Sequence, residues 1–399
     1  MRRFKEPTWA LLLAVASVTA SAQDWNVAAD VAIQTRVFAD DAQWAGQSGS
    51  TAHVALEGHA EFRWRNEDGS QRVSLIPYAR WDAEDDERDL VDLQEAYWAW
   101  EGDSTNLLIG NNTVFWGVTE SVHLVDVVNQ TDFAGDIDGE DKLGQPMINA
   151  ALQTDFGYFS AFVLPYFRER TFPGVDGRIR TPLPVDTDRP RYESRNEQSH
   201  VDFAFRYSHY IGNVDIGASV FSGTSREPRF VPSADGTTFI PVYDQIDQVG
   251  VDLQYTGDAW LWKLEAIARD GFTESFFAAV GGFEYTIFQV AGSDADLGLL
   301  MEYQYDDRSR LEPFTIAEND VFVGARLAMN DAQDATVLAG AVFDVDTDEM
   351  FFNVEAERRF GENYFLELRL RAFSGAERDD LSFAFAADDY VQLTLSRYF

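Results

Sequence analysis

Seven carboxylates crowd one stretch of this sequence. Residues 114–145 hold Glu120, Asp126, Asp132, Asp136, Asp138, Glu140 and Asp141, with Lys142 their only lysine or arginine. Elsewhere arginines recur at even spacing, as Arg63 and Arg65, Arg72 and Arg80, and Arg369 and Arg371. Residues two apart in an extended strand share a face, so each pair presents its guanidiniums to one side. A row of carboxylates facing a row of guanidiniums across water makes no bond. It sets up a transverse field that orders water and sorts polar solutes by charge and dipole.

Bond-making chemistry finds little support. The chain has no cysteine, which removes disulfides, thiol nucleophiles and thiolate metal sites together. Its five histidines are His53, His59, His123, His200 and His209. His53 and His59 share a strand face about 20 Å apart. His200 and His209 differ by an odd number and point to opposite faces. No histidine stands at a spacing from serine that would make a nucleophile–base pair, so no enzyme and no cofactor is expected. Asp136, Asp138 and Glu140, and again Asp344, Asp346, Asp348 and Glu349, have the oxygen density that Ca²⁺ favours. Neither run fits a full EF-hand loop, and solvated acidic turns are the alternative.

The elements that must carry these residues are strands. Segment 52–65 alternates Val54, Leu56, Ala60, Phe62 and Trp64 with His53, Glu57, His59, Glu61, Arg63 and Arg65. Comparable runs cover 25–37, 72–82, 89–100, 106–113, 146–154, 158–167, 200–210, 213–223, 246–256, 260–270, 274–288, 296–306, 319–329, 335–345, 349–359, 364–374 and 388–399. Segments of about ten alternating residues are the unit of a transmembrane barrel, whose hydropathy is weak because every second residue alone meets lipid. The expected fold is all-β, a transmembrane antiparallel up-and-down β-barrel of about 18 strands. Sixteen is the alternative, if 106–113 and 146–154 lie inside. Connectors support closure: alternate ones are tight, and the other set holds the long ones, 38–51, 114–145, 168–199, 224–245 and 309–318. Aromatics make up 14% of residues, including 10 Trp and 31 Phe, which suits a lipid-facing wall with interfacial girdles. The formal charge of −37 repels nucleic acid. It is compatible with a solvated acidic exterior, a cation-favouring lumen, or adaptation to salt.

Both ends of the chain carry signals. Arg2, Arg3 and Lys5 precede an apolar core at 9–16 and a small-residue site at Ala20-Ser21-Ala22. This predicts a signal peptide over 1–22, with one barrel domain over 23–399. The last strand alternates Val391, Leu393 and Leu395 with polar residues and ends on Phe399. That ending resembles the assembly signal of Gram-negative outer-membrane β-barrels, though Arg397 stands where many members have an apolar or aromatic residue. The resemblance implies the barrel assembly machinery as a partner and the Gram-negative outer membrane, with its lipid and lipopolysaccharide, as the location. The apolar residues of 114–145 (Phe115, Trp116, Val118, Leu124, Val125, Val127, Val128) suit a loop folded inward. The stretch resembles the third external loop of the general porins, whose acidic residues form a constriction opposite an arginine ladder. Residues 111–145 are also similar to a block in uncharacterised proteobacterial porin-like proteins. The resemblance implies passive diffusion of small hydrophilic solutes, a constriction at the seven acids, a basic wall at the six arginines, and a homotrimer as one assembly. A substrate-specific or export channel with a periplasmic partner, and a non-pore barrel, are the alternatives. The arginine-rich stretch 168–199 is read as a long extracellular loop.

Overall fold

Alternation writes itself directly into the wall. In the last strand Val391, Leu393 and Leu395 are exposed outside, while Gln392, Thr394 and Ser396 are buried inside. The structure is a computed structural model that describes residues 25–315, 317–378 and 382–399. The leader expected at 1–22, and its cleavage before Gln23, lie outside the described residues.

The strands are β1 (Trp25–Phe38), β2 (Ala52–Arg65), β3 (Gln71–Asp82), β4 (Leu90–Glu101), β5 (Thr105–Asn112), β6 (Gln145–Thr154) and β7 (Gly157–Leu164). After a short β8 (Arg191–Tyr192) come β9 (Asp202–Ile211) and β10 (Val214–Thr224), then the loop strands β11 (Arg229–Pro232) and β12 (Phe239–Tyr243). The wall resumes with β13 (Gln245–Thr256), β14 (Trp260–Asp270), β15 (Phe276–Ile287), β16 (Asp296–Asp306) and β17 (Asn319–Ala328). It ends with β18 (Thr336–Asp344), β19 (Met350–Phe360), β20 (Tyr364–Ser374) and β21 (Tyr390–Tyr398). Among the described residues, 18 of these form one antiparallel sheet. β1 pairs with both β2 and β21, placing Ile33 opposite Leu395 and Val37 opposite Val391. The ring is closed, leaving no free edge for its backbone to expose to lipid. The 16-strand alternative fails, because β5 and β6 pair with β4, with each other and with β7 in the wall.

One irregularity has a local cause. Pro77 lacks an amide hydrogen, and the β3–β4 register shifts between Ile76 and Pro77. Turns alternate as a closed up-and-down barrel requires. One rim has tight connectors such as 66–70, 155–156 and 212–213, whereas the other has all the long loops. The connector between β20 and β21, not among the long ones expected, joins that rim and carries a 3-10 turn at Ser382–Phe385. Tyr210, Tyr255, Trp260 and Tyr364 are exposed near the tight-turn rim, where amphipathic rings suit a membrane interface.

The interior is filled unevenly. Trp116, Val125, Val127 and Val128 from segment 113–144 pack on Ala99, Leu108, Met147, Phe162, Phe221, Ile267 and Phe276 of the inner wall. This makes a dry core on the β4–β15 side. A smaller cluster, Phe38, Ile179, Ala384, Phe385 and Tyr390, sits under the loops above β1, β20 and β21. The long-loop rim is further covered by β8, β11 and β12, which form a three-stranded sheet of their own. Open volume remains toward β16–β20 and β1–β4.

Candidate functional site

The loop between β5 and β6 crosses the lumen because the wall offers its backbone buried acceptors. Glu265 on β14 is fully buried, and its Oε1 accepts from the amides of Val118 (2.7 Å) and Thr119 (3.1 Å) and from the Thr119 hydroxyl (2.7 Å). Its Oε2 accepts from the Val125 amide at 3.2 Å. Glu302 on β16 accepts from the amides of Glu120 and Ser121, both at 2.8 Å, and from the Ser121 hydroxyl at 2.6 Å. A buried carboxylate needs such donors to offset its desolvation. Gly117 makes the approach possible: its φ is +150°, and a Cβ there would lie 2.9 Å from Glu265 Oε1. Glu120 itself meets Arg326 of β17 at 2.6 Å and Lys263 of β14 at 3.6 Å.

The far half of the loop is clamped to the opposite wall. Asp132 meets Arg80 of β3 at 2.8 Å and accepts from the Thr171 hydroxyl at 2.5 Å. Arg88 and Arg36 donate to the carbonyls of Ala134 (2.9 Å) and Gly135 (3.3 Å). Arg369 of β20 reaches Asp136 at 2.7 Å and Asp138 at 3.4 Å. Arg371 reaches Asp138 at 2.9 Å and Glu355 of β19 at 2.8 Å. Asp136 is 4% exposed and Arg371 1%. Burial alone would raise the Asp136 carboxyl, but Arg371, Arg36 and Arg369 outweigh it and hold the group well below the usual range. Asp138 goes the other way, pushed up to about 7 by burial and by neighbouring Asp136 despite both arginines. Asp141 is raised to about 6 by burial, with Asp136 and Asp132 adding to it. Burial opposes protonation of His123. Glu140, at 2.9 Å, and Glu265 override it and lift the imidazole to about 9.

The structure therefore brings Asp132 of the predicted acids onto Arg80, and Asp136 and Asp138 onto Arg369 and Arg371 of the predicted bases, whereas Glu120 pairs with Arg326 and Lys263 on the other wall and Glu140 with His123. Asp126 is turned back onto Lys142 at 3.1 Å, and Asp141 lines the space beside it. Arg63, Arg65 and Arg72 are a correction to the expected wall. They lie at the tight-turn rim, where Arg63 meets Glu61 (3.2 Å) and Arg65 and Arg72 meet Glu101 (3.1 and 3.0 Å). Alternation fixes which face a residue takes but not its depth, and these three flank the turn at 66–70. The opposed rows also differ from the expectation, since acids and arginines touch instead of facing each other across water. Glu265, Glu302, Arg326, Arg36 and Arg88 escaped the sequence reading. All but Arg88, which sits in the 3-10 turn at Asp86–Arg88, alternate inward on their strands, and that parity was the available signal.

The loop read from 168–199 is also drawn inward. Arg168 bonds Asp92 at 2.6 Å, Arg178 bonds Asp388 at 3.0 Å, and Arg180 donates to the carbonyl of Ala45 at 3.0 Å. The first run of candidate Ca²⁺ ligands is taken by cationic side chains: Asp136 and Asp138 by arginines, Glu140 by His123. No group of three or more metal-binding side chains converges among the described residues. Two cavities flank the clamp. One of about 710 Å³ opens toward the long-loop rim, between the loop and β16–β20. One of about 220 Å³ lies beside β1–β4, lined by Glu57, His59, Asp92 and Thr394. Arg369 lines both.

No protein-family model matches the chain, and no curated protein matches it. Solved structures do match in fold. OpdQ of Pseudomonas aeruginosa aligns with 95% of this chain and 99% of its own at 11% identity and a TM-score of 0.53. OccK3 (OpdO) of the same organism aligns with 94% and 95% at 8% identity and a TM-score of 0.53. Wzi, a carbohydrate-binding outer-membrane barrel of Escherichia coli involved in group 1 capsule assembly, aligns with 93% and 84% at 10% identity and 0.51. At these identities the likeness is one of fold: this chain is an outer-membrane-type β-barrel resembling them.

Proposed function

We propose that the chain is a passive channel of the Gram-negative outer membrane, with its tight turns in the periplasm and its long loops outside. Loop 113–144 narrows the lumen, and a solute passes from the larger cavity to the smaller beside Arg369. The observation that carries this reading is the pair of cavities on either side of one charged clamp, with a single arginine lining both. The apolar core on the β4–β15 side confines the open lumen to the side of β16–β20 and β1–β4, which favours the substrate-selective form of the channel over free diffusion of every small hydrophilic solute. Stabilisation of the passing solute comes from fixed charges and dipoles, and no bond is made or broken.

The test is planar-bilayer recording of the folded full chain in a salt gradient. Discrete current steps are expected, with a reversal potential that moves when Arg369 is replaced by Gln. A folded, inserted barrel that passes no current, or a reversal potential indifferent to Arg369→Gln, overturns the reading.

A further inference from the structure

The open side of the lumen has an unusual wall for a water-filled passage. Cross-strand register stacks its inner face in tiers. Phe322, Val342, Phe351 and Phe373 are successive partners across β17–β20, and the next tier is Gly324, Gly340, Asn353 and Arg371. The two glycines leave a recess over which the Phe322 ring lies flat: a Cβ on Gly340 would stand 2.4 Å from that ring. Phe351 and Phe373 are in ring contact at 5.1 Å, and Phe373 continues to Phe385 at 5.6 Å. A second aromatic arc faces them from the loops, with Phe133–Phe172 at 5.9 Å and Phe172–Phe230 at 5.5 Å. Both arcs line the cavity of about 710 Å³. That size, with apolar walls and a few placed polar groups, is the usual form of a small-molecule site.

The polar groups at its floor are specific. Arg371 is 99% buried by its 1% exposure, and its Nε and Nη1 have no hydrogen-bond partner in the protein. The Oδ1 of its cross-strand neighbour Asn353 is likewise buried and unpartnered. The floor thus holds two unpartnered donor atoms beside one unpartnered acceptor, all three closed off from solvent. An anion approaching Arg371 would meet Asp136, Asp138 and Glu355, which already crowd that guanidinium. A cation would leave the two donors unanswered, and buried groups without partners are costly.

We propose that this cavity binds an uncharged amphipathic solute with a flat apolar body of one to three rings and a terminal group that both accepts and donates. A primary carboxamide is the simplest such group, its carbonyl taking Arg371 and its NH₂ giving to Asn353. The assignment rests on the channel reading in that it names the solute class of the same lumen, and its test is separable from conduction.

The full chain in lipid nanodiscs is dialysed against 2-naphthamide, 2-naphthoate and 2-naphthylmethylammonium, with empty nanodiscs subtracted. The amide is expected to bind at least tenfold more tightly than either charged probe, and Asn353→Leu to weaken the amide at least fivefold. Phe230→Ala, on a loop strand outside the barrel wall, is expected to weaken it at least threefold, and it decides the matter if Asn353→Leu does not fold. A charged probe that equals the amide, or amide binding unchanged in a folded variant, overturns the proposal. Amide binding without current steps in a bilayer leaves the site standing and removes the channel; current steps without amide binding do the reverse.

Discussion

Glu302 shows how a single wall residue can set the position of a loop. Its carboxylate collects three donors from Glu120 and Ser121, so Glu302→Leu strands them beside an apolar side chain. Each buried group left unpaired costs about 1–3 kcal/mol. The expected outcome is a barrel that still folds but whose currents are larger and noisier, read by single-channel recording. Titration acts on the same loop with a definite sign. His123 is raised to about 9, so its contribution is complete below its ordinary range and lost as pH climbs through 9. Asp138 is raised to about 7, so its ionisation in place is unfavourable and acidification from 7 toward 4 strengthens the attachment. Asp136 works oppositely but only at lower pH, below the ordinary aspartate range. Loop-opening events in the current should therefore become rarer from pH 9 to pH 5. A frequency that rises over that window contradicts the assignment. At this scale the sequence was half informative. Asp136, Asp138, Arg369 and Arg371 announced themselves by density and parity. Arg63, Arg65 and Arg72 had the same parity at the wrong depth. Counting residues from the nearest tight turn separates them: Arg80 stands ten residues beyond that turn, about 33 Å of strand.

Strands were the most readable elements, because each must keep one face for lipid and one for the lumen. β13, with Val249, Val251 and Leu253 exposed and Gln248 and Asp252 buried, carries that pattern from Gln248 to Leu253. Loops gave no such signal of destination. The apolar residues of 113–144 implied an inward fold, yet its anchors, Glu265 and Glu302, sit 140 to 182 residues downstream of the groups they hold, so no local pattern could reveal the contact. The small three-stranded sheet of β8, β11 and β12 was missed for the same reason. Gly324 and Gly340 have no side chain with which to declare a face, and the structure uses them as the bed of the Phe322 ring. Gly340→Val would drive a side chain into that ring, and overpacking of this kind costs about 1–3 kcal/mol. The folded band in a heat-modifiability gel should convert at a lower temperature than wild type; an unchanged conversion temperature would mean that the ring is free to move aside.

Taken whole, the molecule is a closed ring whose stability depends on which residues meet hydrocarbon. Leu393 faces outward on β21, next to the seam with β1. Leu393→Arg puts a guanidinium against lipid, a change that costs about 2–4 kcal/mol near the midplane. The expected outcome is a large drop in folded, protease-resistant barrel after refolding into vesicles; wild-type yield would place that face elsewhere. The central claim is that loop 113–144 rests across the lumen against the far wall. The absence of cysteine from the chain makes a clean test available. Ser121→Cys combined with Glu302→Cys puts two thiols where the hydroxyl and carboxylate now meet, and a short bis-methanethiosulfonate reagent can join them. The account predicts efficient crosslinking in the membrane-inserted protein, with the link returning the larger, noisier current of the unlinked pair to the wild-type level. Failure of the pair to crosslink in a folded barrel, or a current that collapses when it does, would contradict it.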